Sequence, residues 1–533
     1  MSARTWAVVL LLTAAYVGLA GAAVLDGRFL HDEGVLTHLL ASLVGREPLA
    51  TVFLQKARPP LAVLYAPVAP AGFGAFCWAH VLVAALAVPL VASTAARLGH
   101  ARPELPAAVV ALSPMHVAAG AAGLMNADAV VGVALVALSW SRQRWLTTGV
   151  VAGVLVWVRA ELAVLALVLA VWAAWRRRPR VLLGLCAFPL VYGVAGAIYH
   201  RELVWMLWFP PALAAPMEGN PFWEAHQAQA SLPVVMAAAL SITPVVALLG
   251  LWRASSAHAV ERAGLVFVGL FAGALVLLPR WQLFNFDLSP RYLLPVLPFL
   301  ALAVSRVVEQ WGAEPGAASP RRRGLGLLAF AILAFASERA GGRAGALVVG
   351  GLASLAVALG GAGLPALARV PLATLLALGP VVFGDGARIA RHQHSPTLDR
   401  MVLRLREHPD WAGRPIYTNE PLLAEMFERG GGLPGSTVHY LVQADQLHEL
   451  TSLSNPNNGQ RQALLQALRL GFYGAPVMPD ELTPSAVPAG AVFVLREDSR
   501  LALVMPPELW DPLLEVVYPG GGMTIALRRE GGP

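Results

Sequence analysis

Long apolar stretches separated by short polar turns run from the N-terminus of the chain to about residue 384. A helix needs about 20 apolar residues to cross ~30 Å of hydrocarbon, so stretches of this length predict membrane-spanning helices. We expect the first at 6–25, one ending near Arg97, and two helical hairpins that turn near 126–128 and 159–161. The further spans are expected near 181–199, 232–251, 264–278, 293–308, 324–336, 344–359 and 364–383.

Arginine runs at 176–180 and 321–323 set the expected orientation, because loops rich in Lys and Arg stay on the cytoplasmic side. With these loops inside, the pattern predicts about 13 crossings and a cytoplasmic N-terminus. An odd number of crossings places the region after about residue 386 outside the cytoplasm. The first stretch could also be interpreted as a signal peptide, but the many spans that follow favour an uncleaved helix.

The composition agrees with a polytopic membrane protein. Hydrophobic residues make up 57% of the 533 residues and charged residues only 13%, and the mean hydropathy is +0.62. These values exclude a soluble enzyme, a disordered chain and a fibrous repeat. The net charge of +7 follows from the cytoplasmic arginines and does not indicate a nucleic-acid partner. Cys77 and Cys186 have no zinc or CxxC spacing, so no metal site is expected from them.

The region after residue 384 uses Asp, Glu, His, Asn and Gln freely. Short apolar runs at 416–418 and 491–495 predict buried strands, and 398–406 and 460–470 predict helices. We therefore predict a polytopic α-helical membrane domain over 1–384, with a first outer loop at 26–73, followed by a C-terminal soluble α/β domain over 385–533.

The first outer loop opens with His31, Asp32 and Glu33, just beyond the first span. Carboxylates near the membrane are costly unless they are paired, solvated or functional, so the pair is a candidate general base. An alternative remains that Asp32 caps the helix that begins near Glu33, and the two roles can coexist.

Lys56 is the only lysine among the 39 basic residues, and it precedes Arg58 and the rigid pair Pro59-Pro60. Two cations at the outer membrane boundary can neutralise a phosphate, with Lys as a point charge and Arg as a bidentate fork. The alternative is that both side chains extend to the lipid headgroups.

These motifs, followed by the run Arg291-Tyr292-Leu293-Leu294-Pro295 before a late span, resemble the GT-C membrane glycosyltransferases. The sequence is most similar to the protein O-mannosyltransferases and the lipid A aminoarabinose transferases. The resemblance covers roughly residues 1–310. It implies a GT-C-like fold and a polyprenyl-phosphate sugar donor used on the outer face of the membrane.

The resemblance also implies roles for single residues. Asp32 corresponds to the general base, with Glu33 as its neighbour, and Lys56 corresponds to the lysine that meets the donor phosphate. Because Ala57 and Arg58 interrupt the usual Lys-Pro-Pro order, either Lys56 or Arg58 could bind the phosphate. Arg291 matches the late arginine and is a further phosphate ligand; the alternative is an arginine that extends to the interface beside Tyr292.

Four residues are weaker candidates for binding the sugar or the acceptor: His31, Asp128, Arg159 and Tyr292. Asp128 could bind acceptor or metal, or could simply cap the following helix. Arg159 and Glu161 lie two residues apart and would not face each other on a continuous helix, so we expect Arg159 to pair elsewhere. His31 could tune Asp32 or occupy a polar niche. No cofactor follows from the sequence, and a divalent cation is left open.

The sequence thus predicts a glycosyltransferase of the bacterial inner membrane that moves a sugar from a polyprenyl-phosphate donor to a lipid, glycan or protein acceptor on the periplasmic face. Direct displacement would invert the anomeric centre. The alternative is a transporter or flippase of a lipid-linked sugar. Transporters, however, concentrate ionisable residues near the bilayer midplane and often contain repeats, whereas the charges here gather at the outer ends of the spans.

Overall fold

The computed structural model describes residues 1–26, 32–45, 48–53, 58–208, 258–280, 290–313, 401, 404–405, 407–419, 435–441, 475–477, 482–496, 505–520 and 523–529. The spans predicted near 232–251, 324–336, 344–359 and 364–383 and the helix predicted at 460–470 lie outside these residues.

The described part of the first 313 residues is helical. Its α-helices are α1 (Ala3–Asp26), α2 (Asp32–Val44), α3 (Pro48–Val52), α4 (Pro59–Tyr65), α5 (Phe73–Ala85), α6 (Ala87–Arg97), α7 (Glu104–Ala111), α8 (Pro114–Ala121), α9 (Met125–Ser141), α10 (Trp145–Val158), α11 (Ala163–Trp175), α12 (Pro179–His200), α13 (Trp205–Trp208), α14 (Ala259–Arg280) and α15 (Leu297–Ala313). Short 3₁₀ segments lie at Ala69–Ala71, Ala160–Leu162 and Pro290–Val296.

Among the described residues, three helical stretches are long and apolar enough to cross a membrane: Ala3–Leu25, Phe73–Arg97 and Pro179–His200. The bent pair α7 and α8 makes a fourth if it counts as one span. Helices α9, α10 and α11 are apolar but shorter. Short arms were expected for the hairpin that turns near 159–161, which α10 and α11 form. The helices predicted at 6–25 and 181–199 are confirmed, whereas the number of crossings stays a prediction.

Glycines allow α10 and α12 to approach closely. A Cβ at Gly149 would meet the backbone oxygen of Val181 and the Cα of Gly184, and one at Gly153 would meet the backbone of Leu185. Small residues at such contacts let two backbones pack without intervening side chains, as is common between membrane helices. The close packing fixes the end of α10, from which Arg159 follows.

The chain divides into two compact units. The first consists of Met1–Ala22, His80–Gly193 and Leu213–Ile389, and the second of Ala23–Ala79, Val194–Ala212 and Ala390–Pro533. All strands of the described structure belong to the second unit.

The C-terminal region contains a six-stranded sheet. Its strands are β1 (Ile416–Thr418), β2 (Val438–Leu441), β3 (Ala475–Val477), β4 (Val492–Arg496), β5 (Leu514–Gly520) and β6 (Met523–Arg528), in the spatial order β3-β2-β1-β4-β6-β5. Strands β1 to β4 are parallel to one another. Strand β6 pairs antiparallel with β4, and β5 pairs antiparallel with β6 at the edge of the sheet. The strands predicted at 416–418 and 491–495 are confirmed as β1 and β4, and an α/β region is thereby present.

Aromatic rings on neighbouring strands form the core of this sheet. Tyr417 of β1 stacks on His439 of β2 and on Phe493 of β4, with ring centroids 4.6 Å and 5.1 Å apart. Trp510, from the short helix α16 (Pro507–Trp510), meets Phe493 edge to face. Such cross-strand contacts stabilise the register beyond the area they bury.

Candidate functional site

A tight turn between α8 and α9 places two polar residues at the start of α9. Gly123 has φ +69°, which favours glycine, and Leu124 is the extended N-cap residue before Met125. Asn126 and Asp128 therefore lie in the first turns of the helix. The alternative of Asp128 as an N-cap is wrong, because Leu124 occupies that position. Asp128 is nevertheless close enough to the N-terminus for its negative charge to interact favourably with the helix dipole.

Asp128 is paired with His80, a residue that the sequence analysis did not select. His80 Nε2 lies 2.9 Å from Asp128 Oδ2, and both side chains are buried. The other ring nitrogen, Nδ1, lies 2.8 Å from the backbone oxygen of Gly120. A carbonyl only accepts hydrogen bonds, so Nδ1 carries a proton, and a second proton must lie between Nε2 and the carboxylate. The His80 side chain on α5 therefore contacts α8 through the Gly120 backbone and α9 through Asp128.

Two more polar rings pack beside this pair. The hydroxyl of Tyr16 on α1 donates to the backbone oxygen of His116, 3.1 Å away, and the two rings are 4.7 Å apart. A Cβ at position 120 would collide with the Tyr16 hydroxyl, so the site requires Gly120. The Tyr16 hydroxyl is therefore packed closely against Gly120 and hydrogen-bonded to the His116 backbone.

Arg159 pairs with Glu161 across the break between α10 and α11. Arg159 itself is extended, with φ −147° and ψ 121°, and the 3₁₀ segment Ala160–Leu162 follows. Arg159 Nε donates to Glu161 Oε1 at 2.5 Å, and Nη2 also contacts that oxygen. The expectation that Arg159 and Glu161 would not face each other was wrong, because it assumed a continuous helix, whereas the extended residue turns the two side chains together. Arg159 also has the partner elsewhere that was expected, which is Asn126.

Asn126 joins Arg159 to the segment that carries Arg291. Its Oδ1 accepts from Arg159 Nη1 at 2.8 Å, and its Nδ2 donates to the backbone oxygen of Arg291, also at 2.8 Å. The Arg159 and Arg291 guanidinium carbons lie 4.7 Å and 5.2 Å from the centroid of the Tyr292 ring. Two guanidinium groups thus contact one aromatic ring, an arrangement stabilised by cation–π attraction. We call Asn126, Arg159, Glu161, Arg291 and Tyr292 the arginine cluster.

The arginine cluster brings together three residues from the sequence prediction: Arg159, Arg291 and Tyr292. It lies at the start of α9, the end of α10 and the 3₁₀ segment before α15, which are the ends predicted to face outward. Asn126 was noted only as part of a turn, and nothing in its spacing marked it. A guanidinium has planar N–H donors that match phosphate oxygens, so the cluster can bind an anion.

A second buried ionic group lies where α6 ends. His100 Nε2 lies 3.0 Å from Glu261 Oε1 of α14, and its Nδ1 lies 3.2 Å from Ser305 of α15. Arg306 contacts the same Glu261 oxygen and donates to the backbone oxygen of Leu98. A carboxylate, a histidine and an arginine from three parts of the chain therefore contact one another at this end.

The first loop is described only in part. Helix α2 begins at Asp32 and carries Glu33, which is half-buried, and α2 contacts α4. Arg58, with φ 46°, is the residue before α4, and Pro59 and Pro60 form the first helical positions, as proline favours. The structure thus brings together the helices next to the acidic pair and Arg58. His31, Lys56 and the side chain of Asp32 lie outside the described residues.

No group of three or more His, Cys, Asp or Glu side chains among the described residues could hold a metal ion. Within those residues Asp128 has His80 as a neighbour but belongs to no group of three, so its role as a metal ligand stays a prediction.

Comparison with solved structures identifies the fold. The chain is similar to ArnT from Cupriavidus metallidurans bound to undecaprenyl phosphate, with a TM-score of 0.55 and 17% identity over 100% of both chains. It is also similar to ArnT of the same organism in the apo state, with a TM-score of 0.52 and 17% identity over 98% of both chains. No family model matches the sequence, and no curated protein matches it significantly. The chain thus shares the fold of ArnT, in agreement with the expected resemblance to the lipid A aminoarabinose transferases.

Proposed function

We propose that this chain, which has the fold of ArnT over its whole length, is a membrane glycosyltransferase that uses a polyprenyl-phosphate sugar. The arginine cluster carries the proposal, because it places two guanidinium groups at one aromatic ring at the ends of apolar helices. One of the two ArnT structures was determined with undecaprenyl phosphate bound. We propose the same class of donor lipid here, and an acceptor that is a lipid, a glycan or a protein on the periplasmic face of the inner membrane.

The donor determines what the protein must supply. Its isoprenoid tail stays in the bilayer, so the phosphate is bound where water is scarce and an uncompensated anion is costly. We propose Arg291, Lys56 and Arg58 as the phosphate ligands. Arg159 is already held by Glu161 and Asn126, so in this proposal it adds positive charge beside the phosphate. Tyr292, Asp128 and His31 are proposed to line the sugar or acceptor side.

The chemistry then needs one base and a stabilised leaving group. The acceptor hydroxyl attacks the anomeric carbon, the bond from that carbon to the phosphate oxygen breaks, and the hydroxyl proton passes to Asp32, with Glu33 beside it. The departing phosphate keeps the electron pair, and the cations stabilise its charge. A single displacement inverts the anomeric configuration. No step requires a metal ion.

A transfer assay in detergent tests the function directly. Purified protein is given a polyprenyl-phosphate sugar and candidate acceptors, and the sugar product is measured; a flippase makes no product where there are no compartments. Asp32→Asn should lower kcat by about 10²–10⁴-fold, the range typical for loss of a general base. In cells, the same variant should accumulate the donor at a normal protein level. A wild-type protein without transfer activity, or an Asp32→Asn variant with full activity, would contradict the proposal.

Phosphate binding is tested separately with undecaprenyl phosphate in nanodiscs. Arg291→Gln should weaken binding about 10- to 100-fold, because it removes a charge-assisted contact. Arg262→Gln is the matched control, since Arg262 is an exposed arginine on α14. Equal binding by both variants would remove Arg291 from the proposed phosphate site.

A further inference from the structure

Asn126 is fully buried between the two arginines of the cluster, and both the oxygen and the nitrogen of its amide form hydrogen bonds. Only one orientation of the amide fits, because a guanidinium only donates and a backbone carbonyl only accepts. The oxygen must therefore face Arg159 and the nitrogen must face Arg291, as the structure shows. The asparagine amide thus supplies an acceptor and a donor on two separate atoms without adding charge.

We propose that Asn126 is a positioning residue that aligns Arg159 and Arg291 on a single donor phosphate, and that its neutrality keeps the cluster anion-selective. The inference rests on the proposed function and deepens it. Asn126 needs no contact with the donor, since it acts through the Arg159 side chain and through the backbone that carries Arg291. The position of Asn126 is fixed in turn by Asp128, which lies two residues later on α9 and pairs with His80.

Charge distinguishes this role from simple packing. Glu161 already provides a carboxylate to Arg159. An aspartate at position 126 would keep a hydrogen-bond acceptor for Arg159 but would add a second anion to the cluster. It would also replace the donor that faces the Arg291 carbonyl with an oxygen. If Asn126 has only a structural role, this nearly isosteric change should alter stability but not the donor affinity of the folded protein, whereas a residue that protects an anion site should lose donor affinity.

The experiment compares Asn126→Asp with Asn126→Leu in nanodiscs and measures undecaprenyl phosphate affinity, donor KM, kcat and thermal stability. We expect Asn126→Asp to lose some stability, because a carboxylate oxygen then faces the Arg291 carbonyl, and the folded variant to bind the donor at least about tenfold more weakly, because a unit charge a few ångströms away acts strongly at low dielectric. Its kcat at saturating donor should change less than its KM. Asn126→Leu should weaken affinity as well, with a loss of stability.

Ser139→Ala provides the control at the other end of α9. Ser139 is buried and accepts a hydrogen bond from Thr148, so this variant should lose stability without losing donor affinity. If both Asn126 variants bind undecaprenyl phosphate as the wild type does, the proposal is wrong. If Asn126→Asp does not fold, wild-type affinity in Asn126→Leu still refutes it. A wild-type protein that neither binds undecaprenyl phosphate nor transfers sugar overturns the proposed function instead.

Discussion

The ion pair between Arg159 and Glu161 gives a quantitative prediction. Their side chains are only 5% and 6% exposed, so solvent screens the interaction little. Removing one partner of a buried ion pair typically costs about 3–5 kcal/mol, because the remaining charge has lost its partner. We expect Glu161→Gln near the lower bound, since Arg159 keeps its contacts with Asn126 and Tyr292. Arg159→Met should cost more, because it leaves the buried carboxylate without that arginine.

The double variant Arg159→Met/Glu161→Gln removes both charges together. We expect it to lose less stability than the Arg159→Met single variant, which corresponds to a coupling energy of about 3 kcal/mol. The measurement is the free energy of unfolding of all four proteins in mixed micelles with increasing SDS. Additive losses would show that the two residues do not stabilise each other, and would refute the reasoning.

Donor binding should follow a different order in the same variants. Glu161→Gln removes an anion from the arginine cluster and should bind undecaprenyl phosphate at least as tightly as the wild type. Arg159→Met and the double variant should both bind more weakly, although the double variant is the more stable of the two. Donor affinity that simply follows stability would contradict an electrostatic role for Arg159.

Three further predictions concern stability. Gly149→Val should destabilise the protein by at least about 1–3 kcal/mol through overpacking against α12, while Gly18→Val, where a Cβ meets nothing within 4 Å, should have little effect in the same unfolding assay. Ser113→Ala should cost about 1 kcal/mol, since Ser113 caps α8 through its side chain; an unchanged unfolding curve would contradict this role. Burial raises the pKa of the Tyr417 phenol, so the folded state favours the neutral form, and its stabilising contribution should hold below pH about 10 and disappear as the pH rises through the raised pKa. Tyr417→Phe should therefore lessen alkaline destabilisation, as measured by circular dichroism.

The pattern of apolar residues predicted the helices and strands whose formation depends mainly on local sequence. The apolar length of 6–25 and the short apolar run at 416–418 were enough to identify α1 and β1. The hairpin of β5 and β6 was not predicted, although the glycines at 520–522 carry a turn signal. The pattern of apolar residues alone did not reveal it, because the strands are partly exposed.

The candidate site was predicted less completely, because its contacts join distant parts of the chain. His80 and Asp128 are 48 positions apart, and Asn126 and Arg291 are 165 apart, distances over which hydrophobic periodicity contains no information. His80 did carry one signal, since a histidine inside a long apolar helix is costly unless it is paired. The contact of Arg159 with Glu161 was missed because the helix was assumed to continue through residues 159–161.

The ionic group at the end of α6 has a consequence for how the protein is made. His100 and Glu261 are separated by 161 positions, so at 5–20 residues per second the ribosome needs about 8–30 s to supply the partner. During this interval the His100 loop still lacks α14 and α15, which carry its partners. Assembly at this end must therefore be completed late, and a nascent chain stalled before residue 258 should be recognised by quality-control proteases.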